Sequence, residues 1–381
     1  MDEPHRKRLR TDAPANSAST SRAVPSPTAA DIVKAATRDA DYWFEDGNII
    51  LVSENVSFKV YRGLLAEHSS VFRSMLDVGQ GTHNPAEVVD GCPVVPLYDS
   101  PNDLRGLFRI IFPLKKNLKF SNWKVDIDFI CAIIRLDHKY ELKGLYDQAM
   151  SYLTTYYTTS FDDWVEGRNA TEWRPEPIHA IGAVNLARLT NTTTILPLAY
   201  YICATLGPEL TLGYARDDGT MERLSPEDLY ICLSLKARLA TENVHSAFML
   251  LRYPGQQHCS NSQAYTSCSE LFRRLLDHVG MSKGPHAVAS DRALDSWMDS
   301  IDSYTPPNAQ NINAYMVMYP SQARSLCKGC RAHVQNRDRE LRRQIWRKLP
   351  EYVGLTIENW DAPAASGSTA SWCVTCLFPG S

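Results

Sequence analysis

Residues 48–61 read NIILVSENVSFKVY, and this stretch decides the fold of the N-terminal part of the chain. Two short apolar runs, 48–53 and 56–61, are separated by the polar pair Glu54-Asn55. Short β-rich runs on either side of turn-forming residues are typical of two antiparallel strands. The stretch therefore predicts a β-hairpin.

The pattern changes from strand to helix immediately after the hairpin. Apolar residues in 64–76 recur at three- and four-residue spacings, which predicts a helix with one buried face. A further strand is predicted at 92–97. Ser100 followed by Pro101 is a typical helix start, because Ser caps free N–H groups and Pro fits the first turn. Further helices are predicted at 104–112, 127–142 and 145–157.

This order of strand, strand, helix, strand, helix, helix resembles the BTB/POZ domain over about residues 38–157. The resemblance is carried by Asp46 before the first strand, by the helix LLAEHSSVFRSML at 64–76, and by a helix ending in Lys139-Tyr140. It implies an α+β domain that binds protein partners and commonly self-associates as a dimer. The surface used would be apolar and contributed by the helices and first strands.

Two positions depart from the family pattern. Tyr61 stands where members often carry a His that pairs with the family's Asp in a charged pocket, so corepressor-style binding is not expected from the resemblance. No hydrophobic-x-Glu motif follows Met75-Leu76. A cullin ligase is therefore a partner that the resemblance allows but that this segment does not favour.

Beyond residue 157 the patterns are helical, and no sustained strand alternation is present. Ser225 followed by Pro226 begins one predicted helix, which we expect to continue to Leu239. The segment ILPLAYY at 195–201 resembles the helical extension of fungal BTB proteins. Helices are predicted at 178–189, 195–206, 226–239, 268–279 and 293–301. The predicted fold class is thus α+β, a BTB/POZ-like domain followed by a mainly α-helical region.

The length and composition of the chain agree with two folded units and terminal segments. The chain has 381 residues, 44% of them hydrophobic, and a formal net charge of -3, so no global positive charge indicates nucleic acid or an anionic membrane. Composition predicts a Ser/Pro/Ala-rich disordered leader at 1–37 and a flexible tail at 351–381. The resemblance implies the BTB/POZ-like domain at 38–157, and the helical patterns that follow predict a helical domain at 158–350.

Localisation is predicted from the absence of an apolar signal segment and of an apolar run long enough to cross a membrane. The chain starts without an apolar signal segment, and no run approaches the ~18 apolar residues that cross a bilayer. We therefore expect an intracellular protein without a membrane partner, in the cytoplasm or the nucleus. The cluster HRKRLR at 5–10 matches a short nuclear-import signal, although solvated charge near a terminus is the simpler interpretation.

The motif Cys327-Lys328-Gly329-Cys330 carries the most specific chemistry in the sequence. Two residues between cysteines let both thiolates meet one ion at ~2.3 Å, and Gly permits the turn. Cys259 and Cys268 can complete the site, with His258 as a substitute; His333 or the pair Cys373 and Cys376 are alternatives. A structural zinc at Cys327, Cys330, Cys259 and Cys268 is the one cofactor that the sequence suggests.

A locally basic segment follows the CxxC motif. Between Ser321 and Pro350 there are nine Lys or Arg against two Asp or Glu, and Leu341, Ile345 and Leu349 share one narrow face. A docked helix with a solvated charged face is the simpler interpretation. A nucleic-acid surface is the alternative, and it lacks the aromatic platform of strand-binding modules.

No catalytic motif occurs in its required context. The letters of a nucleophile elbow appear at 280–284, GMSKG, but the elbow needs a preceding strand and here a helix precedes it. Gly280 is instead predicted to end that helix. The sequence therefore predicts a non-catalytic protein-interaction adaptor that acts through a BTB/POZ-like domain. The alternative is a zinc-stabilised nuclear protein that contacts nucleic acid through residues 327–349.

Overall fold

The computed structural model describes residues 28–78, 88–112, 127–142, 144–167, 175–216, 218–260, 268–281, 288–304 and 325–362. These residues form a small mixed sheet and many helices, which confirms the α+β class. The strands are β1 (Thr37–Trp43), β2 (Ile49–Ser53), β3 (Val56–Val60), β4 (Val88–Val89), β5 (Cys92–Leu97), β6 (Tyr214–Ala215) and β7 (Met221–Glu222).

The helices are α1 (Ala29–Ala35), α2 (Arg62–His68), α3 (Ser70–Val78), α4 (Pro101–Ile111), α5 (Ile127–Tyr140), α6 (Leu145–Tyr156), α7 (Phe161–Gly167), α8 (Ala180–Thr190), α9 (Leu196–Ala204), α10 (Glu209–Leu212), α11 (Pro226–Leu250), α12 (Cys268–Met281), α13 (Met298–Asp302) and α14 (Lys328–Tyr352). None of these described helices combines the length and apolar character needed to span a lipid bilayer.

The predicted hairpin is present and occupies the centre of the main sheet. Strands β2 and β3 pair antiparallel, with Leu51 opposite Phe58. Strand β2 also pairs parallel with β5, and the sheet order is β1-β3-β2-β5-β4. Every residue of β2 is buried, so both faces of the sheet are covered.

The two faces of β2 belong to different cores, because successive strand residues point to opposite sides. Ile49 and Leu51 face the helices α2 to α5, in one core with Phe58, Phe72 and Phe108. Ile50 and Val52 face the other way and pack with Ile32, Val33 and Cys92. Helix α1 therefore covers the second face of the sheet.

This use of α1 differs from the prediction of a disordered leader at 1–37. Residues 29–35 are helical, and the helix begins with a capping box in which Thr28 and Asp31 bond reciprocally. Partial burial of Ile32 and Val33 against the sheet supplies the apolar contact that the leader's composition did not suggest. Residues 1–27 lie outside the described residues.

A second core runs through the boundary predicted at residue 157. Helix α5 contributes Leu136 and Tyr140 to the sheet core, and Ile130 and Ile134 to a cluster shared with α6, α8 and α9. All nine residues of α9, Leu196–Ala204, are buried, which explains the continuous apolar run in this segment. The sheet unit and the helical region are thus packed against each other.

Three elements extend beyond their predicted ends. Helix α11 continues past Leu239 to Leu250, and α12 includes Gly280, which was predicted to end it. Residues after α14 turn back along the helix, where Leu355 and Trp360 pack against the second core. The predicted flexible tail at 351–381 is therefore packed as far as residue 360. The described residues also contain the two-residue strands β6 and β7, which the sequence did not reveal.

Candidate metal site

Four cysteines from three separate segments meet beside the start of α14. Cys327 is the N-cap of α14, and Cys330 lies in its first turn. Cys268 is the first residue of α12, and Cys259 follows the short 3-10 turn Gln256–His258. The structure therefore brings together the CxxC pair and the two cysteines that the sequence proposed with it.

The sulfur atoms have the spacing of a cluster that can close on one ion. All four Sγ atoms lie within 4.8 Å of one another. A tetrahedral ion with metal–sulfur bonds of ~2.3 Å needs sulfurs about 3.8 Å apart, so small side-chain rotations complete the site. Cys259, Cys268 and Cys330 are buried, and Cys327 is half-buried.

Backbone N–H groups already point at two of the sulfurs. Cys327 donates its N–H to Cys268 Sγ at 3.4 Å, and Cys330 donates its N–H to Cys327 Sγ at 3.4 Å. Such donors stabilise negative charge on sulfur, and the second lies at a helix N-terminus. The chain thus provides part of the outer support that a bound ion requires.

The thiols differ strongly in acidity. Burial opposes ionisation of Cys327, but hydrogen bonds from Ser260 and from the backbone N–H of Cys330 outweigh it and lower its pKa to about 5. Burial raises the pKa of Cys268 to about 11 and raises the pKa of Cys330 further. The protein alone therefore favours ionisation of Cys327 over ionisation of Cys268 or Cys330. A divalent cation would supply the positive charge needed to hold the others ionised.

Gly329 permits the close approach of two segments at the site. A Cβ at this position would overlap the backbone carbonyl oxygen of His258, the residue before Cys259. The same carbonyl faces Cys330 Sγ at 4.0 Å. A side chain at position 329 would push apart the segments that hold Cys259 and Cys330.

The alternative ligands proposed from the sequence are placed differently. The rings of His258 and His333 contact each other, with centroids 4.7 Å apart. Neither histidine belongs to the four-sulfur group, which is the one possible metal-binding group found among the described residues. Burial lowers the pKa of His333, whose Nε2 atom has no hydrogen-bond partner. Cys373 and Cys376 lie outside the described residues.

A separate apolar cluster surrounds the site. It joins the end of α11 to α12, α13 and the start of α14, and it includes Leu250, Phe272, Trp297 and Val334. Its polar centre is Asp338, which accepts hydrogen bonds from Ser296, the Trp297 N–H and Arg342. No sequence pattern marks this carboxylate beyond its place on the buried face of α14.

The basic segment proves to be extensively ion-paired. Arg339 and Arg343 both contact Asp162, and Arg347 contacts Asp361. Arg331 pairs with Asp302, and Arg342 with Asp338. Among the described basic side chains of α14, this leaves Lys328, Arg337 and Lys348 without an ion-pair partner. The pairing is typical of a helix docked on its own protein.

No known protein-family model matches the chain, and no curated protein matches it.

Proposed function

We propose that the chain is a non-catalytic interaction protein whose C-terminal helices are held together by a structural zinc ion at Cys259, Cys268, Cys327 and Cys330. The observation that carries the metal part is the convergence of four sulfurs within 4.8 Å. The interaction part follows from the BTB/POZ resemblance of the N-terminal unit. Both parts are testable separately.

Zinc is proposed because of the donor set and its surroundings. Four sulfur donors in a tetrahedral arrangement favour zinc or iron over magnesium or calcium, which prefer oxygen. Structural zinc sites use four protein ligands, whereas catalytic sites keep one position open for water. Three of the four cysteines are buried, in keeping with a closed site.

The role of the N-terminal unit is proposed from its element order. A central hairpin, a parallel third strand and helices α2 to α5 on one face of the sheet support the order expected for a BTB/POZ-like domain. Tyr61, at the position where the family often has His, donates its hydroxyl hydrogen to Asp46 at 2.6 Å. The Asp46 carboxylate thus accepts a hydrogen bond from a neutral hydroxyl and has no charged partner at position 61. We therefore favour self-association and partner binding through apolar surfaces over partner binding in a charged pocket.

Native mass spectrometry of the purified full-length chain tests both parts in one measurement. The mass should show one zinc per chain, and the Cys327→Ser/Cys330→Ser variant should lose it. Cys92→Ser is the matched control, because Cys92 is a buried thiol in β5, outside the cluster. A metal-free wild-type protein that remains metal-free after zinc addition under reducing conditions would refute the zinc proposal. A strictly monomeric chain would refute self-association.

The nucleic-acid alternative receives less support than it does from sequence alone. Its basic segment uses five arginines in ion pairs within the protein. The test therefore uses Arg337→Glu/Lys348→Glu, which removes two cations that form no ion pair with any other described residue. Salt-sensitive RNA or DNA retention that disappears in this variant would favour the alternative; absence of binding at low salt would remove it.

A further inference from the structure

Helix α11 carries three large apolar side chains that are exposed to solvent. This helix has 25 residues, and its inner face buries Cys232, Leu235 and Leu239. On the outer face Tyr230 is 73% exposed, Leu233 49% and Phe248 60%. One side of α11 thus exposes large apolar side chains to solvent and does not bury them in a core.

These side chains form a continuous line. Tyr230 and Phe248 are eighteen residues apart, which is five turns of an α-helix, so they point in the same direction about 27 Å apart. Between them lie the exposed small residues Ala237 and Thr241. We call Tyr230, Leu233, Ala237, Thr241, Val244 and Phe248 the α11 stripe.

The α11 stripe is complementary to itself when reversed. The point midway between Tyr230 and Phe248 is level with Leu239 along the helix axis. A two-fold axis at that level, on the exposed side of α11, places Tyr230 of one copy against Phe248 of the other. Leu233 and Val244 then meet on one flank, since both lie on the same side of the Tyr230 to Phe248 line. The small residues Ala237 and Thr241 meet at the centre, where they permit close approach of the two backbones.

The charges at the two ends also match this arrangement. Glu227, at the start of α11, and Arg252, just past its end, are both exposed. Neither has an ion-pair partner within the described chain. Antiparallel packing brings each Glu227 near the Arg252 of the other copy, and it also aligns the helix dipoles favourably. Parallel packing would place like charges together.

We propose that the α11 stripe is a self-association surface that binds the same stripe of a second copy in antiparallel orientation. A single helix pair of this length lies at the small end of specific interfaces, so association in the micromolar range is expected. The surface is separate from the sheet unit. Association through the α11 stripe is therefore independent of any association through the N-terminal unit, and the two contacts can occur together.

Charge reversal gives the most specific test. In the full chain, Glu227→Arg places cations at both ends of the antiparallel pair, and Arg252→Glu places anions there. Each single variant should self-associate roughly tenfold more weakly than wild type by sedimentation equilibrium. An equimolar mixture of the two variants restores both opposite-charge pairs and should associate about as tightly as wild type. Unchanged association of each variant, or no rescue on mixing, would overturn the antiparallel arrangement.

The apolar contact is tested by Tyr230→Glu/Phe248→Glu, which should weaken this association step roughly a hundredfold. Tyr98→Glu is the matched control, because Tyr98 is an exposed aromatic residue outside the stripe. Circular dichroism checks that each variant is folded. Association that persists in the double variant with wild-type strength would assign it to another surface and overturn the proposal. If the N-terminal unit does not self-associate, the difference in association strength between the double variant and the Tyr98→Glu control still measures the contribution of the α11 stripe.

Discussion

The backbone of Gly329 lies against the carbonyl oxygen of His258, so closely that any Cβ at position 329 would overlap that oxygen. This contact joins the first turn of α14 to the segment that carries Cys259. The obstructing atom belongs to the backbone and cannot rotate away. Closure of the four-sulfur cluster therefore depends on a residue that offers no ligand.

We expect Gly329→Ala to weaken metal retention and to lower the free energy of unfolding by about 1–3 kcal/mol, the usual range for overpacking. Zinc release to a competing chelator and urea unfolding measure the two effects. Gly63→Ala is the control, since a Cβ at Gly63 meets nothing within 4 Å and Ala favours the helix. Equal zinc retention in both variants would show that the close approach is not needed.

Asp338 is expected to be the most sensitive polar residue of the C-terminal cluster. It is 2% exposed and accepts hydrogen bonds from Ser296, Trp297 and Arg342. Asp338→Asn removes the charge opposite Arg342 and should cost about 2–4 kcal/mol, measured by urea unfolding. Glu340→Gln, on the exposed side of the same helix, should change stability by less than about 0.5 kcal/mol. Similar losses in the two variants would contradict this assignment.

The turn between β6 and β7 should make stability depend on pH. Burial raises the pKa of Asp218, but hydrogen bonds from Ser100 and Thr220 and the nearby Arg216 outweigh it, and the pKa falls to about 2. Because the folded pKa lies below the unfolded value of about 3.9, this carboxylate stabilises the protein above about pH 4. Its contribution is lost as the pH falls from about 4 towards 2.

The measurement is the difference in unfolding free energy between wild type and Asp218→Asn at several pH values. We expect about 2 kcal/mol at pH 6, decreasing steadily below pH 4. Glu351→Gln changes an exposed carboxylate and should give no such pH-dependent difference. A difference that stays constant from pH 6 to pH 3 would show that the Asp218 carboxylate is not held by its neighbours.

Trp360 should stabilise α14 although it lies beyond the helix. Its ring stacks on Trp346 at a centroid distance of 5.2 Å, and its indole N–H donates to the Trp346 carbonyl at 2.7 Å. We expect Trp360→Ala to cost about 2–3 kcal/mol in thermal or urea unfolding. Tyr98→Ala removes an exposed aromatic side chain and should be nearly neutral. Equal stability of the two variants would mean that the packed segment adds nothing.

Local patterns in the sequence predicted local structure well. The hairpin follows from alternation around Glu54-Asn55, and Leu51 and Phe58 indeed face each other. The CxxC spacing predicts one half of a metal site. Cys259 and Cys268 were one of several candidate pairs for the other half, and it is the fold that brings these two next to the CxxC motif.

Contacts between distant segments could not be predicted in this way. The covering of the sheet by α1 depends on which face the other helices leave open, and no pattern within residues 29–35 reveals that. The Arg339 and Asp162 pair joins positions 177 residues apart. Gly280 matched a helix-ending residue, yet it remains helical, because a C-cap depends on backbone conformation as well as residue type.

The order of the sulfur donors along the chain has a consequence for biosynthesis. Cys259 and Cys268 leave the ribosome first, and Cys327 follows Cys268 by 59 residues. A nascent chain therefore exposes half of the donor set while the segment that completes it is still being made. Translation products that stop before Cys330 cannot assemble the four-sulfur cluster. Binding of one ion by all four sulfurs would therefore have to follow the synthesis of Cys330.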